Sequence, residues 1–437
     1  PFLILYLALA LCCGVIIMLG ELALGRKTGH GAVGAYQSIS KRFKWLGWLG
    51  IAAAALIFSF YSALGGYCLR YVVVNFGNLI GAEFGTNGVG GADVFQGLLS
   101  QPDVSIAFAL AFMFITMLVV MSGVGGGIER VCSVGMPALF FIVIIRAWTL
   151  PNADVGLKYM FVPGWAVANG IIDEAPGFWR VLTAAGGQMF FSLSLGAGVM
   201  ITYGSYLDKK QDLGKSTMII VGMDTVVALM AGLCVIPGRF ALDPNGALGG
   251  PELLFITMQN VFDKMGPAGP VFGILFYLLV FFAAISSSIS MLEVIVAHFC
   301  DKAREKGKGD RRKLYSAIVV VICAALCALV CADGMGSNHI SPAELLGLAG
   351  AKLPGWSTSW LGLFDSVAEG LLMPLGALLM CLMISWELKP DVLRQEILLN
   401  GENRPWVYDF FRLCVKYITP LCMLMILYGQ ISDFFIA

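Results

Sequence analysis

Hydrophobic residues in this chain gather into long stretches that short polar connections separate. Ten stretches are long enough to cross a bilayer, which takes about 20 predominantly apolar residues. In order they are residues 2–24, 46–75, 105–122, 132–150, 179–205, 216–237, 269–297, 314–333, 367–387 and 406–433. Because the alternating pattern of membrane β-strands is absent, the sequence predicts an all-α membrane protein with ten spans.

The fifth stretch is interrupted near its middle, where residues 192–198 read SLSLGAG before the chain becomes apolar again at Val199. Lipid cannot satisfy free backbone N–H and C=O groups, so a break at this depth persists only where protein buries it or where it lines a cavity. Ser and Gly also let membrane helices pack closely, but the density of polar and small residues over 188–198 favours a break. Broken helices at the midplane are typical of transporter binding sites, where half-helix ends hold a carboxylate and a cation.

Composition agrees with a membrane protein. Of the 437 residues, 58% are hydrophobic and 13% are charged, against about 25% charged residues in soluble proteins. The formal net charge is zero. The expected surroundings are therefore a lipid bilayer, and no nucleic-acid partner is expected.

Lys and Arg gather in alternate connections. The basic set is Arg26, Lys27, Lys41, Arg42, Lys44, Arg130, Lys209, Lys210, Lys215, Lys302, Arg304, Lys306, Lys308, Arg311, Arg312, Lys313, Lys389 and Arg394. The connections between these groups hold few basic residues, so the positive-inside rule makes the basic set cytoplasmic. Both Pro1 and Ala437 are then expected outside.

The first residues carry an expectation of their own. Pro1 opens directly on an apolar run, without an initiator Met or the charged start of a signal peptide. We expect a fragment that lacks the first transmembrane helix of an eleven-helix parent. The alternative is a complete ten-span protein with both ends outside.

A few polar side chains fall inside predicted spans. Asp224 is the carboxylate deepest in its span, and ionisable groups at that depth mark ion paths or partner charges by default. The hydroxyls of 286–290 either bond to carbonyls of their own helix or ligate a hard cation, which prefers oxygen. Tyr61 either bonds to a neighbouring helix or contacts a ligand.

Two further features bear on function. The stretch Gly127–Pro137 is predisposed to unwind, because Pro137 removes a backbone donor and restricts the residue before it; an ordinary kinked helix start is the alternative. The three histidines are scattered, and no pairing of a nucleophile with a base is evident. We therefore expect a protein that is not an enzyme.

Short stretches together resemble the neurotransmitter:sodium symporter family, in its bacterial amino-acid-transporting branch. They are Gly20–Arg26 (GELALGR), Phe60-Tyr61, Gly127–Arg130 with Pro137, Gln188–Gly196 (QMFFSLSLG), Ile201–Tyr206 (ITYGSY) and Ser286–Ser288. The resemblance implies two inverted five-helix repeats with broken helices, within one transporter domain over 1–437. Residues 1–150 would belong to the first repeat, 179–387 would form the second, and 406–433 would be an additional helix.

The resemblance also implies roles for individual residues. The substrate pocket would comprise Tyr61, Ile57, Phe191, Ser194, Ala197, Ser287, Ser290 and Met291. Sodium would be ligated at a first site by Ser192 and at a second by the carbonyl of Ala283 with Ser286 and Ser287. Gating would involve Asp365 outside, Asp301 and Tyr206 inside, and unwinding of Gly127–Pro137.

Two departures from the family pattern refine these expectations. Ala197 stands where well-known bacterial relatives have Phe, so a large apolar or aromatic amino acid has room in the pocket. Asp224 stands where Asn often ligates sodium, and Ala228 follows one turn later where an acid or serine is common. Asp224 would ligate sodium, replace the charge of chloride, or both, so chloride is not expected to be required.

The function that follows is a sodium-coupled symporter that imports an amino acid by alternating access, using one or two sodium ions. The alternative is a non-transporting amino-acid sensor or scaffold on the same fold. The expected location is a cell membrane, as a multi-pass protein of the bacterial inner membrane. The sequence does not specify the amino acid or the oligomeric state.

Overall fold

The computed structural model describes residues 2–86, 88–122, 136–242, 250–309, 311–348, 355–388, 392–398 and 405–435. Within these ranges, eight helices are long and apolar enough to cross a membrane. They are α1 (Phe2–Thr28), α2 (Lys41–Ile80), α3 (Pro102–Ser122), α7 (Leu213–Ala241), α8 (Gly266–Glu305), α9 (Arg312–Asp333), α10 (Trp360–Glu387) and α11 (Pro405–Ser432). Each overlaps a predicted span.

The other two predicted spans are not continuous helices. The predicted span 132–150 is described from Met136, as helix α4 (Met136–Trp148). The chain then turns by 110° into a helix at Ala153–Phe161. The span predicted over 179–205 consists of α5 (Phe178–Leu193) and α6 (Val199–Gly204), which confirms the predicted interruption.

Shorter helices form the connections. They lie at Ala32–Ile39, Gly91–Leu99, Trp165–Ala168, Gly250–Glu252, Met258–Asp263, Pro342–Leu345 and Arg394–Ile397. The long helices α1, α10 and α11 also contain π-helical turns, at Ala10–Gly14, Ser366–Leu372, Met383–Glu387 and Cys414–Ile418. A further π-helical turn, Leu253–Thr257, joins two of the short helices. Such turns are frequent at functional sites, and the one at Ser366–Leu372 directly follows Asp365.

Close helix packing surrounds the interrupted span. The helix α8 packs along α2, α3 packs against α2 and α9, and α6 packs against α1. Glycine makes these approaches possible, because small residues let backbones come together. A Cβ at Gly66 of α2 would lie 2.5 Å from the amide nitrogen of Ala109 in α3, and a Cβ at Gly25 of α1 would collide with the carbonyl oxygen of Ile201 in α6.

A buried ion pair ties the cytoplasmic end of α1 to two other segments. The Nε of Arg26 donates to Oε2 of Glu396 at 2.8 Å, and both side chains are buried. The same guanidinium donates to the backbone carbonyls of Gln211 and Glu396. Arg26 therefore holds the chain that follows α6 and the helix Arg394–Ile397 against α1.

Candidate functional site

The interruption between α5 and α6 is made by three residues with left-handed backbone. Ser194 has a φ of 51°, Gly196 of 77° and Gly198 of 74°. A residue in this conformation cannot continue a right-handed helix, and only Gly adopts it without steric cost. The glycines that suggested a break in the sequence are thus the residues that make it.

Both glycines are also confined by their neighbours. A Cβ at Gly196 would collide with the carbonyl oxygen of Met373 on α10, and a Cβ at Gly198 would lie 2.7 Å from the Cβ of Ala32. The break therefore packs against backbone at Gly196 and against a side chain at Gly198, with no room for a larger residue at either position.

A buried carboxylate from α1 holds the break in place. Oε1 of Glu21 accepts a hydrogen bond of 2.7 Å from the amide of Gly196, and Glu21 is only 1% exposed. Its Oε2 is also buried and has no hydrogen-bond partner among the described residues. Glu21 lies near the inner end of the predicted span 2–24, where water would be close, but the structure buries it beside the break. The sequence feature that could have pointed to Glu21 was its place in the GELALGR stretch.

The predicted sodium ligands Ser192 and Asp224 meet in the structure. The hydroxyl of Ser192 on α5 donates to Oδ2 of Asp224 on α7 at 2.7 Å. The hydroxyl of Tyr6 on α1 donates to the same oxygen at 3.2 Å. Nothing in the sequence distinguished Tyr6 from other aromatic residues of an apolar stretch, so this third member of the cluster was missed.

The serine run of α8 divides between two faces. Ala283, Ser286, Ser287 and Ser290 follow spacings of three and four and therefore share one side of the helix. The hydroxyl of Ser286 donates to the Ala283 carbonyl at 2.8 Å, and the Ser287 side chain is exposed. Tyr61 on α2 lies close to Ser287.

Ser288 points elsewhere and is completely buried. Its hydroxyl donates to the Ile285 carbonyl at 2.9 Å, and it lies 2.8 Å from the Thr116 hydroxyl on α3. Ser288 thus connects helices, whereas Ser286 and Ser287 stand on the face that carries Ala283.

The remaining predicted pocket residues lie on α2, on α5, on α8 and in the break. Ile57 of α2, Ala197 of the break and Met291 of α8 are buried, while Phe191 and Ser194 are partly exposed. Ser290 is linked to the inner half of the broken span, because its hydroxyl lies 2.7 Å from the Tyr203 hydroxyl on α6.

At the outer end of α10, a second acid lies one turn after the predicted gate acid. Asp365 and Glu369 are four residues apart and therefore share one face of the helix. Both side chains are partly exposed. Glu369 was missed in the sequence, although its spacing of four residues from Asp365 was visible.

At the inner end, Tyr206 and Asp301 have different partners. The hydroxyl of Tyr206 donates to Oε1 of Glu293 at 2.7 Å, and Glu293 accepts two bonds from the Arg312 guanidinium. Asp301 instead accepts a 2.9 Å bond from the amide of Gly31. Glu293 and Arg312 are therefore additions to the predicted inner group.

The stretch predicted to unwind at the inner face is described only in part. Gly127 lies outside the described residues. Pro137 belongs to α4, which is described from Met136 onward.

Comparison with known proteins shows which family the chain belongs to. The sequence profile of the "Sodium:neurotransmitter symporter family" matches residues 1–87 and 93–435. The chain belongs to this family. It is 34% identical to the sodium-dependent transporter YhdH of Bacillus subtilis, over 99% of this chain and 90% of that protein.

Other members of the family are also similar to this chain over most of its length. A sodium-dependent transporter of Methanocaldococcus jannaschii is 26% identical over 99% of this chain and 83% of its own length. The crystal structure of MhsT in complex with L-phenylalanine superposes with a TM-score of 0.82 and 30% identity, covering 98% of this chain and 91% of MhsT.

Membership of the sodium:neurotransmitter symporter family confirms several predictions. The chain is a multi-pass membrane transporter that uses sodium, and it is not an enzyme. The all-α fold predicted from the resemblance is the fold that it shares with MhsT. The bacterial relatives agree with a location in the inner membrane.

Proposed function

We propose that this chain imports an amino acid with a large apolar or aromatic side chain, driven by sodium. The observation that carries the proposal is the unwound segment Ser194–Gly198, which interrupts the helix around Ala197, a small wall residue. MhsT, which shares the fold at 30% identity, binds L-phenylalanine. Proteins called "Sodium-dependent nutrient amino acid transporter 1" in Drosophila species share 26–28% identity over 48% of this chain.

The substrate carboxylate would bind the hydroxyl of Tyr61 and lie beside the backbone of the break. Half-helix ends carry partial charges that suit a carboxylate at one end and a cation at the other. The side chain of the substrate would lie against Ile57, Ala197, Ser290 and Met291, with Phe191 closing over it from outside.

Two groups of oxygen atoms would hold sodium, with one ion at each group. Ser192 and Asp224 supply the first group, and their 2.7 Å contact already places a hydroxyl and a carboxylate together. The Ala283 carbonyl, Ser286 and Ser287 supply the second group on one face of α8. Hard cations prefer such oxygen ligands.

Transport would not need chloride. Asp224 puts a negative charge beside the first sodium group, and Ala228 one turn later has no group that could ligate an anion. A permanent carboxylate at this position would balance the sodium charge that chloride balances in other members.

Alternating access would move the two repeats, 1–150 and 179–387, around this site, with 406–433 as an additional helix. Asp365 would act in the outer gate, and Asp301 and Tyr206 in the inner gate, with unwinding of Gly127–Pro137 opening the inner path. A ligand shifts such an equilibrium only through its different affinities for the two states. Sodium would therefore favour the outward-open state that receives the substrate.

The direct test is uptake of labelled L-phenylalanine by the full-length gene product in proteoliposomes. We expect accumulation with an inward sodium gradient, no accumulation when potassium replaces sodium, and undiminished accumulation when gluconate replaces chloride. Equal uptake in potassium would overturn sodium coupling. Sodium-dependent binding without accumulation would instead identify a sensor or scaffold.

A matched pair of variants sharpens the test. Asp224→Asn keeps the shape of the side chain and removes its charge, so the sodium concentration for half-maximal uptake should rise roughly tenfold, equivalent to about 1.4 kcal/mol. Chloride should then stimulate uptake. The control Asp154→Asn removes an exposed acid that is paired with Lys158 and should change neither quantity.

A further inference from the structure

A cavity of about 120 Å³ lies between the ends of α10 and α11. Its lining includes Ile384 of α10, Leu388 just after that helix, and Tyr408, Phe411, Arg412 and Lys416 of α11. The adjoining connection belongs to the basic, cytoplasmic set. The cavity therefore opens at the level of the inner leaflet.

Two cations point into this cavity from adjacent turns of α11. Among the described residues, neither Arg412 nor Lys416 is within ion-pair distance of a carboxylate. The nearby acid Glu387 is engaged by Ser40 at 3.1 Å and by Arg42 at 3.9 Å. The exposed Asp409, three residues before Arg412, forms no ion pair with another described residue. The cavity thus holds positive charge that the described protein does not neutralise.

Aromatic side chains place the cavity at the depth of lipid headgroups. The Lys416 ammonium lies 5.9 Å from the centre of the Trp386 ring and 5.1 Å from that of Tyr417. Trp386 is 69% exposed and Trp406 is 60% exposed. Exposed Trp and Tyr mark the membrane interface, and a lysine there extends its ammonium toward the headgroups.

We propose that this cavity binds the phosphate group of an anionic phospholipid from the cytoplasmic leaflet. Basic pockets between transmembrane helices on that side suit acidic headgroups. The cavity is smaller than the roughly 300–1,000 Å³ pockets that enclose a drug-sized molecule, so it fits a headgroup whose chains remain outside. The exposed Phe410 and Leu413 on α11 provide apolar surface for those chains, which a free phosphate would not use.

The experiment is native mass spectrometry of the purified full-length gene product, titrated with phosphatidylglycerol or with phosphatidylcholine. We expect phosphatidylglycerol to be retained and phosphatidylcholine to be lost. Arg412→Gln combined with Lys416→Gln should weaken retention by roughly fivefold per charge removed. The control Arg311→Gln with Lys313→Gln removes two exposed charges from the same side of the membrane and should bind like the parent.

Several outcomes would overturn the proposal. Equal retention of the two lipids would remove the role of charge, and equal weakening in both double variants would show a general surface effect. Displacement of the lipid by an equal concentration of inorganic phosphate would assign the cavity to a free anion. If the double variant does not fold, the single Lys416→Gln variant tests the same claim, with an expected loss of about fivefold.

Discussion

Two serine-bearing segments of this protein, 192–198 and 286–290, look similar in sequence and behave differently in the structure. In the first, polar contacts reach distant parts of the chain: Ser192 bonds to Asp224, and the Gly196 amide bonds to Glu21. In the second, most hydroxyls bond to carbonyls of their own helix. The backbone makes the difference, because the first segment has left-handed residues and the second is continuous helix.

This difference separates two ways of presenting oxygen and nitrogen atoms to a ligand. A broken helix exposes backbone groups that must find partners, since unpaired polar groups at membrane depth are costly. A continuous helix exposes only side chains, which can satisfy themselves locally. Ligand binding should therefore depend on conformation in the first segment and on individual hydroxyls in the second.

The largest expected effect comes from Gly196→Ala. The substitution places a side chain in left-handed backbone and against the carbonyl of Met373. The two costs together should lower the free energy of unfolding by roughly 2–5 kcal/mol and abolish uptake. Chemical denaturation in detergent and the proteoliposome assay measure these quantities.

The same substitution at Gly222 provides the control. Gly222 lies within α7, where a Cβ would meet nothing within 4 Å. Alanine is the better helix former, so Gly222→Ala should be neutral or stabilising by about 0.5–1 kcal/mol. Equal effects of the two substitutions would show that the break does not require its left-handed geometry.

The break could be predicted from the sequence because glycine reports directly on backbone conformation. Most of the tertiary contacts between side chains of the site could not be predicted in this way. Asp224 stood out as a lone carboxylate in a span, but Tyr6 resembles any membrane aromatic until folding brings it to the same oxygen. Glu21 and Glu293 lie near predicted span ends, where water is the natural assumption; their burial depends on how other helices pack over them. Periodicity defines a helix and its faces, but the neighbour of each face is a tertiary property.

The second prediction separates the two faces of the serine run. Ser286→Ala with Ser287→Ala should leave folding stability nearly unchanged, because Ser286 bonds only within its helix and Ser287 is exposed. If these hydroxyls ligate sodium, its half-saturating concentration for uptake should rise by at least roughly tenfold, about 1.4 kcal/mol.

Ser288→Ala should give the opposite result. It removes the buried contact with the Thr116 hydroxyl, which still reaches the Phe112 carbonyl at 3.1 Å. The loss of stability should therefore be about 0.5–1.5 kcal/mol, while the sodium dependence stays normal. Unchanged sodium dependence in the double variant would refute the second sodium group.

The smallest effect tests whether the two segments are physically joined. The Tyr203 hydroxyl, on the inner half of the broken span, lies 2.7 Å from the Ser290 hydroxyl on α8. Tyr203→Phe and Ser290→Ala should each lower the free energy of unfolding by about 0.5–1.5 kcal/mol. Because both remove the same bond, the double variant should lose little more than either single one, and a double-mutant cycle measures this coupling. Fully additive losses would mean that the bond contributes nothing, and that the broken and continuous segments are held together by helix packing alone.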